Sequence, residues 1–276
     1  MDDSSIIFLS TNNMNWTKDP GIPGFKQKIL KEDKSSGGVV RLWFVPPNWG
    51  DEVFNGKPDR HYHKTVVERG FHLYGDFPHW EFESVDDFEG TLYVFKPGLF
   101  MDRPINSLHG LHPNPKSQAG AQILYWSSGS GASVKDPDFT KETVNVPFQK
   151  GFDIGVEKFS PCKFIDTRNS GWHKHPKINN WKIKRLSPKS SSADQVNLVF
   201  IPPDWTPLSK DQSILTNAMG PWLYILSGDI SLKNSSSIYK LKSDDFLSWN
   251  ESDNVLYSEE LCSEAGCTIL CSGHLM

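Results

Sequence analysis

The sequence predicts an all-β protein of two tandem domains, each a sandwich or barrel. Three observations carry this. Short runs rich in β-branched and aromatic residues, VVRLWFV (39–45) and QVNLVFI (195–201), both stop at Pro-Pro, as strands do where the ladder loses a donor. Turn formers are frequent, with 21 Gly and 19 Pro in 276 residues. The pattern of the first half also returns in the second.

The repeat fixes the order of the elements. Trp16-Thr17-Lys18-Asp19-Pro20-Gly21-Ile22, followed by Lys26, Lys28 and Leu30, returns as Trp172-His173-Lys174-His175-Pro176-Lys177-Ile178, followed by Lys182, Lys184 and Leu186. LWFVPPNW (42–49) returns as LVFIPPDW (198–205) at the same spacing. Tyr74-Gly75-Asp76 then matches Ser227-Gly228-Asp229, and AGAQIL (119–124) matches AGCTIL (265–270), with a shrinking offset that gives the second copy shorter loops. Further strands are expected at 70–74, 91–96 and 121–126, and at 222–226, 230–232 and 267–271, separated by Gly-Asp and Pro-Gly turns. The domains are therefore drawn as 1–135 and 163–276, with 136–162 as a connection.

Composition narrows the function. The net charge of −4 supplies no field to hold a phosphate backbone, so nucleic-acid binding is disfavoured. No apolar run approaches the length of a membrane span, and the N-terminal residues lack the basic start of a signal peptide. A cytoplasmic protein with no membrane partner is expected. Cys162, Cys262, Cys267 and Cys271 then read as buried free thiols. No Gly-x-Ser-x-Gly elbow or nucleotide fingerprint is present, and SSGSG (127–131) reads as a linker.

The nine histidines carry the chemistry. His61-Tyr62-His63 is followed by Glu68 and Gly75, in the spacing H-x-H-x4-E-x6-G. Residues two apart on a strand share a face, so His61 and His63 can bind one ion from one strand. Tyr62 between them then points away. Glu68 follows on the next strand. Gly98, Pro104, Asn106 and His109 form a second group, and His109 is expected to join the site from a third strand. Three imidazoles and a carboxylate suit one divalent transition metal: Fe, Mn, Ni, Cu, Co or Zn. Four such ligands on an octahedral ion leave two positions for water, dioxygen or a chelating small-molecule substrate.

These two motifs resemble those of the cupin family. The first cupin motif usually reads G-x5-H-x-H-x3–4-E-x6-G, matched here from His61 to Gly75, with Gly56 one residue closer than usual. The second usually reads G-x5-P-x-G-x2-H-x3-N. Gly98, Pro104 and His109 match it, Asn106 replaces the internal Gly, and the closing Asn stands one place late at Asn114. Asn is the best substitute where a left-handed turn is needed. With the duplication, the resemblance implies a bicupin of two double-stranded β-helix (jelly-roll) barrels. The Trp-x-x-x-Pro opening is similar to the cupin domains of zinc-binding anti-sigma factors and of some metal-dependent dioxygenases. The resemblance implies a dioxygenase first, with iron(II) as the first metal, then a lyase or isomerase with a Tyr or His base, then a metal-gated sensor without catalysis. It also implies a homodimer joined through sheet edges.

In the second copy the ligand positions fall on Ile214, Thr216, Pro221 and a residue near Leu256, so that half is expected to hold no metal. His173 and His175 repeat the H-x-H pattern without a following Glu or Gly and read as an exposed strand or loop, with a ligand pair at a domain interface as the alternative. His72 shares the parity of Glu68 on a straight strand and is the candidate acid/base group of the pocket. His112 reads as a turn histidine, and His79 and His274 have no identifiable partner. Trp43, Tyr93, Phe95, Tyr125 and Trp126 are assigned to the core, and Cys267, Ile269 and Cys271 to packing on the last strand.

Overall fold

The computed structural model describes residues 6–49, 59–84, 86–87, 89–111, 116–129, 133–135, 159–176, 178–187, 195–206, 221–233, 238–249 and 262–272. Among these, one 3-10 turn at Thr11–Asn13 is the only helix, and the rest of the regular structure is strand, so the all-β class holds. No helix among them is long and apolar enough to cross a membrane.

The strands of the chain fall into two compact units, Asn15–Arg168 and Met1–Met14 with Asn169–Met276. Strand β1 (Ile7–Ser10) pairs with a strand of the later unit, described below. The first unit holds β2 (Thr17–Lys18), β3 (Lys26–Glu32), β4 (Val39–Val45), β5 (Asp59–His63), β6 (Glu68–Gly75) and β7 (Phe77–Phe82). It continues with β8 (Thr91–Phe95), β9 (Leu99–Arg103), β10 (Leu108–Leu111), β11 (Ala121–Ser127), β12 (Ser133–Lys135) and β13 (Lys163–Asp166). Two sheets result, one ordered β13-β9-β6-β11-β4-β3-β2 and the other β12-β5-β10-β7-β8.

The second unit adds β14 (His173–Lys174), β15 (Lys182–Arg185), β16 (Val196–Ile201), β17 (Trp222–Lys233), β18 (Ile238–Lys242), β19 (Asp245–Ser248) and β20 (Cys267–Ser272). Their order is β1-β19-β17-β20-β16-β15-β14, with β18 paired to β17. The division differs from the sequence-drawn 1–135 and 163–276. Strand pairing sets it: β1 extends the edge at β19, while β13 extends the edge at β9 and keeps residues 163–168 with the first unit.

The repeated motifs fold alike in both units. Gly75 has φ 75° and lies so close to Gly120 that an added Cβ would sit 1.8 Å from its carbonyl oxygen. Gly228, at φ 80°, meets Gly266 at the same 1.8 Å. In each case only glycine fits. The following aspartate closes the turn: Asp76 accepts the Ala119 N–H at 3.0 Å, and Asp229 accepts the Ala265 N–H at 2.9 Å. The opening Trp also recurs as a platform, with Lys28 4.4 Å from the Trp16 ring and Lys184 4.6 Å from the Trp172 ring.

The two interiors differ. The second unit is filled by Ile178, Trp181, Val199, Trp205, Ile225, Leu232 and Trp249, with Cys267 and Cys271 buried among them. All four thiols are free, but Cys162 and Cys262 are only half-buried, Cys162 packing against the edge of the first unit's core. Ile214, Thr216 and Leu256 lie outside the described residues. In the first unit the inner face of β6 alternates Glu68, Gly70 and His72, which opens a cavity between the two sheets.

Candidate metal centre

The parity of β5 turns His61 and His63 to one face, where His61 lines the cavity, while Tyr62 is buried on the opposite side against Phe159. His109 on β10 stands directly across from His61 in the ladder. The three rings converge: His61 and His109 have centroids 4.3 Å apart, His61 and His63 5.1 Å. One ligand nitrogen from each lies within 4.8 Å of the other two. His109 Nδ1 donates to the Ser107 carbonyl at 2.8 Å, which fixes the ring with Nε2 turned toward the other imidazoles and Glu68. Asn106, with φ 59°, makes the turn that precedes it, in the left-handed conformation the replaced glycine would take.

Glu68 completes the constellation from β6. Its Oε1 is 3.5 Å from His63 Nε2 and its Oε2 is 3.3 Å from His109 Nε2. Two donors on one ion with bonds near 2.1 Å stand about 3.0–3.4 Å apart at octahedral to tetrahedral angles, so the spacing suits a shared ion. The donor set thus fits a divalent transition metal.

A buried polar frame, missed in the sequence, holds this carboxylate. Tyr125 donates its hydroxyl to Glu68 Oε1 at 2.6 Å, and Arg103 reaches Oε2 at 3.1 Å. Arg103 also binds Glu81 Oε1, and His79 Nδ1 lies 3.3 Å from the same oxygen. The frame is assembled by register: Glu68 opposes Arg103 between β6 and β9, and Glu81 opposes His109 between β7 and β10. His79, without an identified partner in the sequence, therefore has two, and its ring stacks on Phe95 at 5.6 Å. Tyr125, assigned to the core, is buried there but also faces the site, stacked 3.9 Å from Trp43.

The electrostatics follow from burial. Burial would raise Glu68, but the hydrogen bond and charge of His109, then Arg103 and His63, hold it well below the usual carboxylate range. Burial opposes charge on Arg103, yet Glu81 and then Glu68 hold its pKa above the usual value. Burial, then the neighbouring imidazoles His109 and His63, keep His61 far below its ordinary value and hence neutral, the form that binds metal. Glu81, despite its burial, is held down to about 2 mainly by Arg103. Burial pushes Tyr125 well above its ordinary value, with Glu68 adding to it, so the phenol keeps its proton.

The cavity of about 80 Å³ is lined at one end by His61, Glu68 and His109 and otherwise largely by apolar side chains, among them Phe25, Phe77, Phe95 and Met101. At one water per ~10–15 Å³ it holds about five to eight water-sized groups, enough for a small organic molecule. His72 lines it too, buried at 2% exposure. The straight run of β6 to His72 keeps its parity with Glu68, since the ladder to β11 slips only beyond it.

The remaining histidines separate. His173 is exposed on β14. His175 Nδ1 accepts the Ile178 N–H at 2.9 Å, as Asp19 Oδ1 accepts the Ile22 N–H at 2.9 Å in the first unit, so it closes the same turn. His112 and His274 lie outside the described residues, as do Gly56 and Asn114.

No protein-family model and no curated protein matches the chain. Solved structures do. The protein Ylba from E. coli is 15% identical, with TM-score 0.59, covering 99% of this chain and 92% of that one. HEPD from Streptomyces albus, solved with 2-hydroxyethylphosphonate and Fe(II), is 8% identical, with TM-score 0.56, covering 99% and 77%. A deletion mutant of oxalate decarboxylase from Bacillus subtilis is 12% identical, with TM-score 0.50, covering 96% and 73%. The fold is therefore that of the cupins, and it carries a three-histidine cluster fit for a divalent metal.

Proposed function

We propose that the chain is a bicupin, two tandem jelly-roll barrels, whose first barrel is a metal-dependent enzyme acting on a small molecule, a dioxygenase first. His61, His63, His109 and Glu68 hold the ion, with iron(II) the first candidate. The observation that carries this reading is the convergence of three imidazole nitrogens within 4.8 Å beside a carboxylate, at the end of a small, mostly apolar cavity. The Fe(II) bound by HEPD on a similar fold adds support for iron. The paired Gly75–Gly120 and Gly228–Gly266 turns support the duplication.

When bound, the ion supplies a Lewis-acid and redox centre with open positions for substrate oxygen and dioxygen. The chain's residues prepare that centre. Arg103 and Tyr125 fix Glu68 from both oxygens, so the carboxylate is presented in one orientation. Ser107 anchors the His109 ring through Nδ1, so Nε2 is the nitrogen presented to the ion. Phe25, Phe77 and Phe95 exclude water, which strengthens every charge interaction inside.

A lyase or isomerase is the second reading, and Tyr125 favours it, because its hydroxyl stands one hydrogen bond from a proposed ligand. The raised pKa makes that phenol a proton donor rather than a base. Metal analysis of the purified protein, with oxygen uptake by iron-loaded wild type and His61→Ala, tests the proposal. Uptake with a diketone, phenol or thiol, lost in His61→Ala, supports a dioxygenase. Conversion of substrate without oxygen uptake would replace it by the second reading.

A further inference from the structure

The far end of the cavity has its own chemistry. Glu68 and His72 face the same space from β6 and lie four residues apart, about 13 Å along the strand. Between them stands Gly70, which presents no side chain. Its ladder neighbours are Met101 on one side and Tyr125 on the other, and an added Cβ would meet only Ile123 and Met101 at ordinary contact distances of 3.4 and 3.5 Å. The glycine therefore answers no backbone demand and leaves floor space open between the metal end and His72. The imidazole of His72 is 2% exposed. Its Nε2 is 3.2 Å from the Gly75 carbonyl oxygen, which can only accept, so the ring proton resides on Nε2 and Nδ1 carries the lone pair. Among the described residues that buried Nδ1 has no hydrogen-bond partner. A buried acceptor left unpaired costs free energy, and a ligand donor would recover it.

We infer that His72 is a substrate-binding residue, and that the space over Gly70 receives a small, mostly apolar molecule whose hydroxyl or N–H donates to His72 Nδ1. This deepens the proposed function and rests on it for the identity of the molecule as substrate. The size follows from the cavity of about 80 Å³, and the apolar middle from Phe25, Phe77, Phe95 and Ile123. Burial holds the His72 pKa down to about 4, so the ring is neutral at pH 7 and keeps its acceptor there. The group recognises a proton without taking it, which narrows the acid/base role expected from the sequence.

Two isomeric probes, butan-1-ol and diethyl ether, differ in having or lacking a donor. Their affinities are measured by ligand-observed NMR on the full chain as purified and again after chelation. The alcohol is expected to bind wild type about fivefold tighter, the worth of one neutral hydrogen bond. His72→Leu is expected to abolish that preference and keep ether binding. His72→Gln, which retains an acceptor, is expected to restore part of it. Gly70→Ala is expected to weaken both probes. Histidine nitrogen NMR should show His72 Nδ1 unprotonated at neutral pH. Equal affinities in wild type, no binding of either probe, or a preference unchanged in His72→Leu would each overturn the inference. The preference should survive chelation, so it stands or falls separately from the metal: a chain that binds no metal yet keeps it would sink only the proposed function.

Discussion

Arg103→Met is expected to do two opposite things. The guanidinium is buried at 4% exposure and pairs with Glu68 and Glu81, themselves 8% and 9% exposed. At pH 7 the three side chains carry a net charge of −1, because both carboxyls are held ionised and the guanidinium protonated. Removing the cation strands two carboxylates in the interior. Breaking a buried pair in this way costs about 3–5 kcal/mol, so the metal-free mutant should lose that much stability in urea unfolding. Acidification toward pH 5 should narrow the gap, since a protonated Glu81 needs no counter-ion. A divalent ion meets the opposite situation, a site with one more unbalanced negative charge and no guanidinium repelling it. Its stabilising increment should grow in the mutant by at least about 1.4 kcal/mol, a tenfold gain in affinity. The measurement is urea unfolding of both proteins with chelator and with saturating metal. A metal-free mutant within about 1 kcal/mol of wild type, or one that gains no more from metal, would refute the assignment of Arg103 as the counter-ion of this site.

Three other outcomes are expected. Tyr125→Phe removes a hydrogen bond to a charged oxygen, and should lower stability by about 1.5–3 kcal/mol and metal affinity about 10–100-fold, read by calorimetry. His72 and His79 are each held down to about 4 against an ordinary 6.5, so the unfolded chain takes up protons that the folded chain refuses. The stability they contribute is complete above pH 6.5 and is lost as the pH falls to 4, by at most about 3 kcal/mol each, and the slope of urea midpoints with pH should flatten in His72→Phe. Gly75→Ala places a Cβ 1.8 Å from the Gly120 oxygen, in a left-handed conformation, and should cost more than about 3 kcal/mol, with loss of soluble folded protein as the readout.

The parts legible in the sequence were the local ones. Alternation within a strand put His61 and His63 on one face and Tyr62 on the other, and carried Glu68 to His72 with the same parity. The left-handed turn at Asn106 was readable from residue type. Convergence across strands was not. Arg103, Glu81 and His79 meet Glu68 through the registers of β6 with β9 and of β7 with β10, which no spacing along the chain encodes. Tyr125 looked like core because it is core: a buried aromatic body with a polar tip reaching the site. The placement of β1 and β13 depends on which sheet edge each extends, a choice made by the fold and not by residues 7–10 or 163–166 alone.

The convergence of His61, His63, His109 and Glu68 is tested most directly by elemental analysis of the chain after loading with iron(II) and removal of unbound ion. One ion per chain in wild type and almost none in His61→Ala, with both proteins folded by circular dichroism, is the predicted result. An unloaded wild type, or a His61→Ala variant that keeps its ion, would contradict it.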